Sequence, residues 1–158
     1  MSSANSSTER VQQALQDLGL AYQVQQLPQS TRTAQAAAEA VGCRLGQIVK
    51  SLLFEDLAAH QPILILTSGE NQVDEELVSA ALGQQIQLAS PDFVRNKTGF
   101  AIGGVAPVGL REDIPTYIDQ DLLSFPAVWA AAGSPRAVFQ IYPQELIKAT
   151  GGKVIQVC

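Results

Sequence analysis

The chain has 158 residues, of which 46% are hydrophobic and 16% charged, and its formal net charge is −5. This length and composition predict one globular domain with a substantial core. The negative charge excludes nucleic-acid binding through the overall field of the protein, but it leaves room for a local basic site that holds an RNA end. No stretch approaches the roughly 20 apolar residues that a membrane-spanning helix requires, so no membrane contact is expected.

The N-terminus, the cysteines and the histidine bear on the cellular compartment and on the kinds of site that the chain can form. Residues 1–7 are small and polar, and we expect a flexible start followed by a single domain over residues 8–158. Because this start has no apolar signal core, the expected compartment is the cytoplasm. Cys43, Cys158 and the single histidine, His60, offer little material for a disulfide framework, a zinc site or a histidine-dependent triad. We therefore expect neither a metal nor a cofactor.

The first half of the chain alternates between helix and strand patterns. Ser6 and Glu9 have the spacing of a capping box, and Thr33 is a suitable N-cap for an alanine-rich segment. The predicted elements, in chain order, are a helix from Ser6 to about Leu18, a strand at 22–27, a helix at 34–41, and strands at 49–55 and 62–67.

The second half continues this alternation and predicts the fold class. Its predicted elements are a helix at 75–82, a strand at 85–88, a helix at 91–97, strands at 115–119, 127–131 and 137–142, a helix at 143–150 and a strand at 154–157. Several of the strand pairs have short connections. This order favours an α/β (α+β) fold, with a mixed, largely antiparallel central sheet and packed helices, over a doubly wound parallel sheet.

Lys50 is the strongest indication of a functional site. It lies in the apolar run IVKSLLF at residues 48–54, which otherwise reads as a buried strand. An ammonium group that is buried without a partner loses several kcal/mol of hydration. Either its side chain reaches water from one face of the sheet, or it points into a pocket where a ligand or a carboxylate meets it.

Two segments rich in small residues and one carboxylate are further candidates. The glycines of GGVAPVG at 103–109 would let a ligand approach the main chain closely, but a tight turn between strands is an equally good interpretation. Neither G-x-G-x-x-G nor the phosphate-binding P-loop motif occurs. The segment AAAGSPR at 130–136 is either a hairpin turn or open space near a sheet edge. Asp119 is either an exposed strand-end carboxylate or the partner of a buried cation.

Taken together and in order, the motifs resemble the YbaK/EbsC-like aminoacyl-tRNA editing domains, including stand-alone deacylases associated with prolyl-tRNA synthetase. The resemblance extends from about Thr8 to Val157. The segments that carry it are TAQAA (33–37), QIVKSLLF (47–54), SGENQVD (68–74), TGFAIGGVAPVG (98–109), YID (117–119) and AG (132–133).

The resemblance implies a YbaK-like domain that hydrolyses the ester between a wrong amino acid and its tRNA, without a cofactor or a metal. It makes Lys50 the catalytic residue. The substrate-binding positions that it implies are Thr33, Gly103, Gly104, Val105, Ala106, Pro107, Gly109, Asp119 and Gly133. The expected partners are the aminoacylated 3′ end of tRNA and prolyl-tRNA synthetase, with no role for DNA.

The amino acid and the chemical role of Lys50 stay open at this stage. Short side chains near the glycine loop favour cysteine, alanine, serine or threonine, and the resemblance implies tRNA(Pro) as the favoured carrier. Val108, Glu70 and Gln26–Leu27 depart from the family pattern. For Lys50, positioning and charge stabilisation are favoured over a general base, because a lysine base needs a strongly depressed pKa.

Other functions also fit these residues. One is a non-catalytic module of the same fold that binds tRNA or a synthetase. Another is a hydrolase of small esters, although the absence of a G-x-S-x-G elbow removes the commonest serine version. An interaction protein without a site would leave the glycine-rich segment with a purely structural role.

Overall fold

The computed structural model describes residues 3–158, with side chains from residue 7 onward. Its helices are α1 (Ser3–Asp17), α2 (Ala34–Val41), α3 (Glu75–Leu82), α4 (Pro91–Thr98) and α5 (Pro143–Thr150). The bounds of α2 to α5 agree with the predicted bounds to within one residue. The first helix begins at Ser3, earlier than the predicted cap at Ser6, and residues 1–2 of the predicted flexible start lie outside the described residues. Among the helices of this described part, none is long and apolar enough to cross a membrane.

The strands also follow the predicted order. They are β1 (Gln25–Gln26), β2 (Ile48–Asp56), β3 (Pro62–Ser68), β4 (Ile86–Leu88), β5 (Thr116–Asp119), β6 (Val128–Ala131), β7 (Ala137–Ile141) and β8 (Lys153–Ile155). Two short 3₁₀ turns, Leu45–Gln47 and Gln120–Ser124, were not predicted. They lie immediately before β2 and immediately after β5.

All eight strands form one sheet, in the order β1-β7-β6-β2-β3-β5-β8, with β4 paired to β2. Four of the seven pairings are antiparallel: β1/β7, β2/β3, β2/β4 and β6/β7. The pairings β2/β6, β3/β5 and β5/β8 are parallel. The predicted mixed, largely antiparallel sheet with packed helices is therefore confirmed.

The core lies on both faces of the central pair, β2 and β3. Every residue of β3 is buried, as expected for a central strand that is covered on both sides. On one face, Val49 and Leu53 of β2 pack with residues of α1, α4 and the segment 100–108. On the other face, Phe54 packs with Ile65 and with α3, and α2 covers Ile48 at the start of the strand.

One edge of β2 is interrupted, and this interruption positions the candidate site. β6 pairs with β2 only at Ile48 and Val49, whereas β4 pairs with it only at Phe54–Asp56. Residues 50–53 therefore pair with β3 on one side and face a gap on the other. At about 3.3 Å per residue, the gap extends for about 13 Å along the strand.

Candidate functional site

A cavity of about 340 Å³ occupies the gap in the edge of β2. The ends of β4 and β6, the start of α2 and the segment around Gly103 form its walls. Most of the lining side chains are apolar, with Val49, Leu53, Val94 and Val105 among them. Such an enclosed, mostly apolar space with a few polar groups is typical of a site for a small molecule or for one end of a larger ligand.

Lys50 lines this cavity, and its side chain is partly buried. The Nζ ammonium donates a hydrogen bond to the backbone carbonyl of Asn71. Burial lowers the pKa of Lys50, while the negative charges at Asp119 and Cys158 oppose that shift. The side chain therefore takes the second of the two arrangements open to it, in a pocket with a fixed polar partner.

Asp119 holds in place the loop that receives Lys50. Its side chain is buried, with 1% of its surface exposed. Oδ2 accepts hydrogen bonds from the backbone N–H of Ser68 at 3.0 Å and from Asn71 Nδ2 at 2.8 Å, and Oδ1 accepts the N–H of Asp121 at 2.9 Å. Asp119 does not line the cavity. It therefore influences Lys50 through Asn71 and through its charge.

The start of α2 brings a polar cap and a cation to the cavity. Thr33 lines the cavity, and its Oγ1 accepts the backbone N–H of Ala36 at 3.1 Å, so the hydroxyl also caps the helix. Arg32 is exposed at the mouth, and no ion pair or hydrogen bond joins its guanidinium to any side chain from residue 7 onward. A Cβ at Gly103 would lie 3.4 Å from Arg32 Cγ, an ordinary van der Waals contact, so it is the φ of +93° that favours glycine here.

The rest of the predicted glycine-rich loop lies mainly within the protein. Gly103 and Val105 line the cavity, whereas Ala106 is fully buried in the core. Gly104 packs so closely on the following turn that a Cβ there would lie 2.9 Å from the backbone nitrogen of Ser134. The backbone N–H of Gly104 donates to the carbonyl of Ala101 at 3.0 Å.

The remaining predicted positions also pack against other parts of the chain. Pro107 is buried and outside the cavity lining. Gly109 lies against the backbone of Arg10, whose Nε donates to its carbonyl at 2.8 Å. A Cβ at Gly133 would lie 2.7 Å from the carbonyl oxygen of Ser7. Of the predicted positions, the structure thus brings Thr33, Lys50, Gly103 and Val105 together at the cavity, and their roles in binding stay predictions.

Three residues of the site were not singled out from the sequence. Asn71 lies in the segment SGENQVD, which contributed to the resemblance without being assigned a role. Arg32 directly precedes the predicted cap Thr33, and no role was assigned to it. Trp129, the only tryptophan, lines the cavity from β6 but lies in an ordinary strand pattern. The only available signal for Asn71 and Arg32 was their position beside the motifs.

The site combines a mostly apolar cavity with two cationic residues in its lining, the partly buried Lys50 and the exposed Arg32. Within residues 3–158, no group of three side chains suited to hold a metal ion occurs. The arrangement is suited to bind a small acyl group that is attached to a negatively charged carrier.

Comparisons with known proteins agree with this arrangement. The model of the aminoacyl-tRNA editing domain family matches residues 28–149. The protein YwhH of Bacillus subtilis is 37% identical over 130 residues, which are 82% of each chain. EbsC of Enterococcus faecalis, named as a candidate Cys-tRNA(Pro)/Cys-tRNA(Cys) deacylase, is 22% identical over 79% of this chain and 76% of its own. A solved structure described as a candidate trans-editing enzyme for prolyl tRNA synthetase is 47% identical over 96% of both chains, with a TM-score of 0.90.

Proposed function

Because the chain belongs to the aminoacyl-tRNA editing domain family, we propose that it hydrolyses the ester bond between a wrongly attached amino acid and tRNA. In this reaction water adds to the ester carbonyl carbon and the bond to the ribose oxygen breaks. The products are a free amino acid and a tRNA with its terminal hydroxyl restored. This activity is a deacylation in trans.

The observation that carries this proposal is the placement of Lys50. Lys50 lines a mostly apolar cavity, and its ammonium donates to the Asn71 carbonyl, near the buried side chain of Asp119. In such surroundings a positive charge acts on a nearby negative or developing charge more strongly than it would in water. We assign Lys50 to positioning the ester and stabilising the charge that develops on its carbonyl oxygen.

The second cation has a different place and a different role. Arg32 lies at the exposed mouth, where a planar guanidinium is suited to meet a phosphate of the tRNA end. The N–H of Gly104 cannot assist the oxyanion, because it already donates to Ala101. Charge stabilisation therefore depends on Lys50 more than on the glycine loop.

The short side chains in the lining, among them Ala130, Ala131 and Val105, favour a small amino acid. Alanine, serine, threonine and cysteine fit a space lined by Val49, Leu53 and Val105. The similarity to EbsC and to the candidate trans-editing enzyme for prolyl tRNA synthetase favours tRNA(Pro) as the carrier. One methylene group changes binding by only about 1–3 kcal/mol, so several small residues can be substrates. A net charge of −5 weakens the hold on tRNA, and contact with prolyl-tRNA synthetase in the cytoplasm would supply the missing affinity.

A panel of misacylated tRNAs tests the proposal and separates it from a non-catalytic binding module. The amino acid and the tRNA are varied independently, and the remaining ester is measured over time against a protein-free control. An enzyme releases a small amino acid faster than the control does. A binding module slows this release, and that result would contradict the proposed reaction.

A further inference from the structure

The gap in the edge of β2 leaves backbone polar groups without a strand partner. In an antiparallel pair, the N–H and C=O of one residue point to the same side, and successive residues alternate. Ile48 and Asp56 bond toward β3, through Gly69 and Gln61 respectively. The backbone N–H and C=O groups of the even-numbered residues of β2 therefore point to β3. Those of Ser51 and Leu53 point to the opposite edge.

On that opposite edge, the pairing stops on both sides of Ser51. The last pair with β6 is Val49 with Ala130, and the first pair with β4 is Phe54 with Leu88. The carbonyl of Leu53 still accepts the N–H of Ala89 at 3.0 Å. Within the described chain, this leaves the N–H and C=O of Ser51 and the N–H of Leu53 without a backbone partner.

These groups face the cavity, because Ser51 and Leu53 both line it. The side-chain oxygen of Ser51 is also buried and has no hydrogen-bond partner among the described residues. Backbone groups that are kept from bulk water are nearly always paired, so these groups are available to bind a ligand that enters the cavity. An unpaired strand edge is also a surface on which an extended group can add as one more strand.

We propose that the aminoacyl group of the substrate binds as a one-residue strand on this edge, paired with the backbone of Ser51. The α-ammonium donates to the Ser51 carbonyl, and the Ser51 N–H donates to the ester carbonyl oxygen. This is the exchange of two hydrogen bonds that opposed residues make in an antiparallel pair. The inference rests on the proposed function and adds to it that the site recognises the free α-amino group shared by all amino acids.

This pairing accounts for a site that accepts several side chains but not other esters. The backbone contacts are the same for every α-amino acid, while the apolar lining limits the size of the side chain. The Ser51 N–H also draws electron density from the carbonyl carbon that water attacks. Lys50, which precedes Ser51 in β2, is also among the residues that line the cavity.

Three tRNA esters of the same size test the inference in the unmodified protein. They are alanyl-tRNA, its α-hydroxy analogue lactyl-tRNA and its deamino analogue propionyl-tRNA, and each rate is divided by the uncatalysed hydrolysis rate. Loss of a charged donor to the Ser51 carbonyl predicts an acceleration about 10-fold to 100-fold smaller for propionyl-tRNA, with lactyl-tRNA between the two. Equal acceleration of alanyl- and propionyl-tRNA would overturn the inference while leaving the proposed deacylation intact. Absence of acceleration for all aminoacyl-tRNAs would overturn both.

Amide hydrogen exchange with a stable analogue, 3′-alanylamino-3′-deoxyadenosine, locates the contact. At a saturating concentration, exchange at the Ser51 amide should slow by about 10-fold. The amides of Lys50 and Leu52, which already bond to β3, serve as internal controls and should change little. Unchanged exchange at Ser51 in the saturated complex would overturn the proposed pairing.

Discussion

Replacement of Asp119 by asparagine tests whether this buried carboxylate supports Lys50. The carboxylate accepts three hydrogen bonds, from the N–H groups of Ser68 and Asp121 and from Asn71 Nδ2. An asparagine keeps only one oxygen, so its NH2 group must face at least one of these donors. A lost bond to a charged acceptor costs about 1.5–3 kcal/mol, and we expect the free energy of unfolding to fall by about 2 kcal/mol.

The same substitution should change the pH dependence of deacylation. The charge of Asp119 raises the pKa of Lys50 against the larger effect of burial, so its removal lowers that pKa further. If Lys50 acts as an ammonium, activity falls as pH rises through its pKa. In Asp119→Asn, this fall should therefore begin at a lower pH than in the wild type.

Two assays measure these effects. Urea unfolding, followed by the fluorescence of Trp129, gives the stability, and kcat/KM as a function of pH gives the profile. Asp121→Asn is the matched control, because Asp121 is exposed and accepts a hydrogen bond from the same Asn71 amide at 2.8 Å. The free energy of unfolding of this variant should differ from that of the wild type by less than about 0.5 kcal/mol. Unchanged stability and an unchanged profile in Asp119→Asn would refute the reasoning. Activity that rises with pH through this range would instead identify Lys50 as a base.

Three further substitutions test packing and electrostatics away from Lys50. Gly133→Ala should destabilise the protein by about 3 kcal/mol, because Gly133 has φ +94° and its added Cβ would meet Ser7. Gly151→Ala is the control, because Gly151 has φ +66° but open space around it. In the same urea assay it should cost only about 1 kcal/mol. Hydrogen bonds from backbone N–H groups lower the pKa of Asp56 in the folded protein. The ionised carboxylate therefore stabilises the fold at a pH above the pKa that Asp56 has in the unfolded chain. This contribution is lost as the pH falls through the pKa of Asp56 in the folded protein. Thermal unfolding between about pH 5 and pH 2 should therefore show a smaller acid-induced decrease for Asp56→Asn than for the wild type, and equal decreases would contradict this assignment.

Local patterns predicted most of the elements because their ends have local causes. Thr33 caps α2, and Gly42 ends it in the left-handed conformation, as the residue types indicate. The predicted strand at 22–27 was too long for a reason that no local pattern contains. Gln12 of α1 bonds the carbonyl of Tyr22 at 3.0 Å and the N–H of Val24 at 2.9 Å, which leaves only Gln25–Gln26 to pair with β7.

The site was predictable only where one residue contradicted its surroundings. Lys50 is conspicuous because a charge interrupts an apolar strand, and the family resemblance supports its assignment. Asn71 and Asp119 are separated by 48 positions, and their hydrogen bond depends on how β3 and β5 pair. The gap at Ser51 depends on where β4 and β6 stop pairing with β2, which is a property of the whole sheet.

The glycine-rich loop is a second segment whose role the sequence alone did not decide. Its composition fitted a substrate loop and a tight turn equally well, and in the structure Gly104 packs against the turn at Gly133 and Ser134. Glycine content alone does not distinguish approach by a ligand from approach by another part of the chain.

The most direct test of the central claim compares the wild type with Lys50→Met in the deacylation of small aminoacyl-tRNAs. Methionine keeps an unbranched chain that can fill the space but removes the charge, and Lys148→Met, on the exposed side of α5, is the control. We predict that the wild type and Lys148→Met release the amino acid at the same rate. Lys50→Met should lower kcat/KM by about 100-fold or more, which is typical for the loss of a group that stabilises charge in a transition state. Equal rates for Lys50→Met and the wild type would contradict the account.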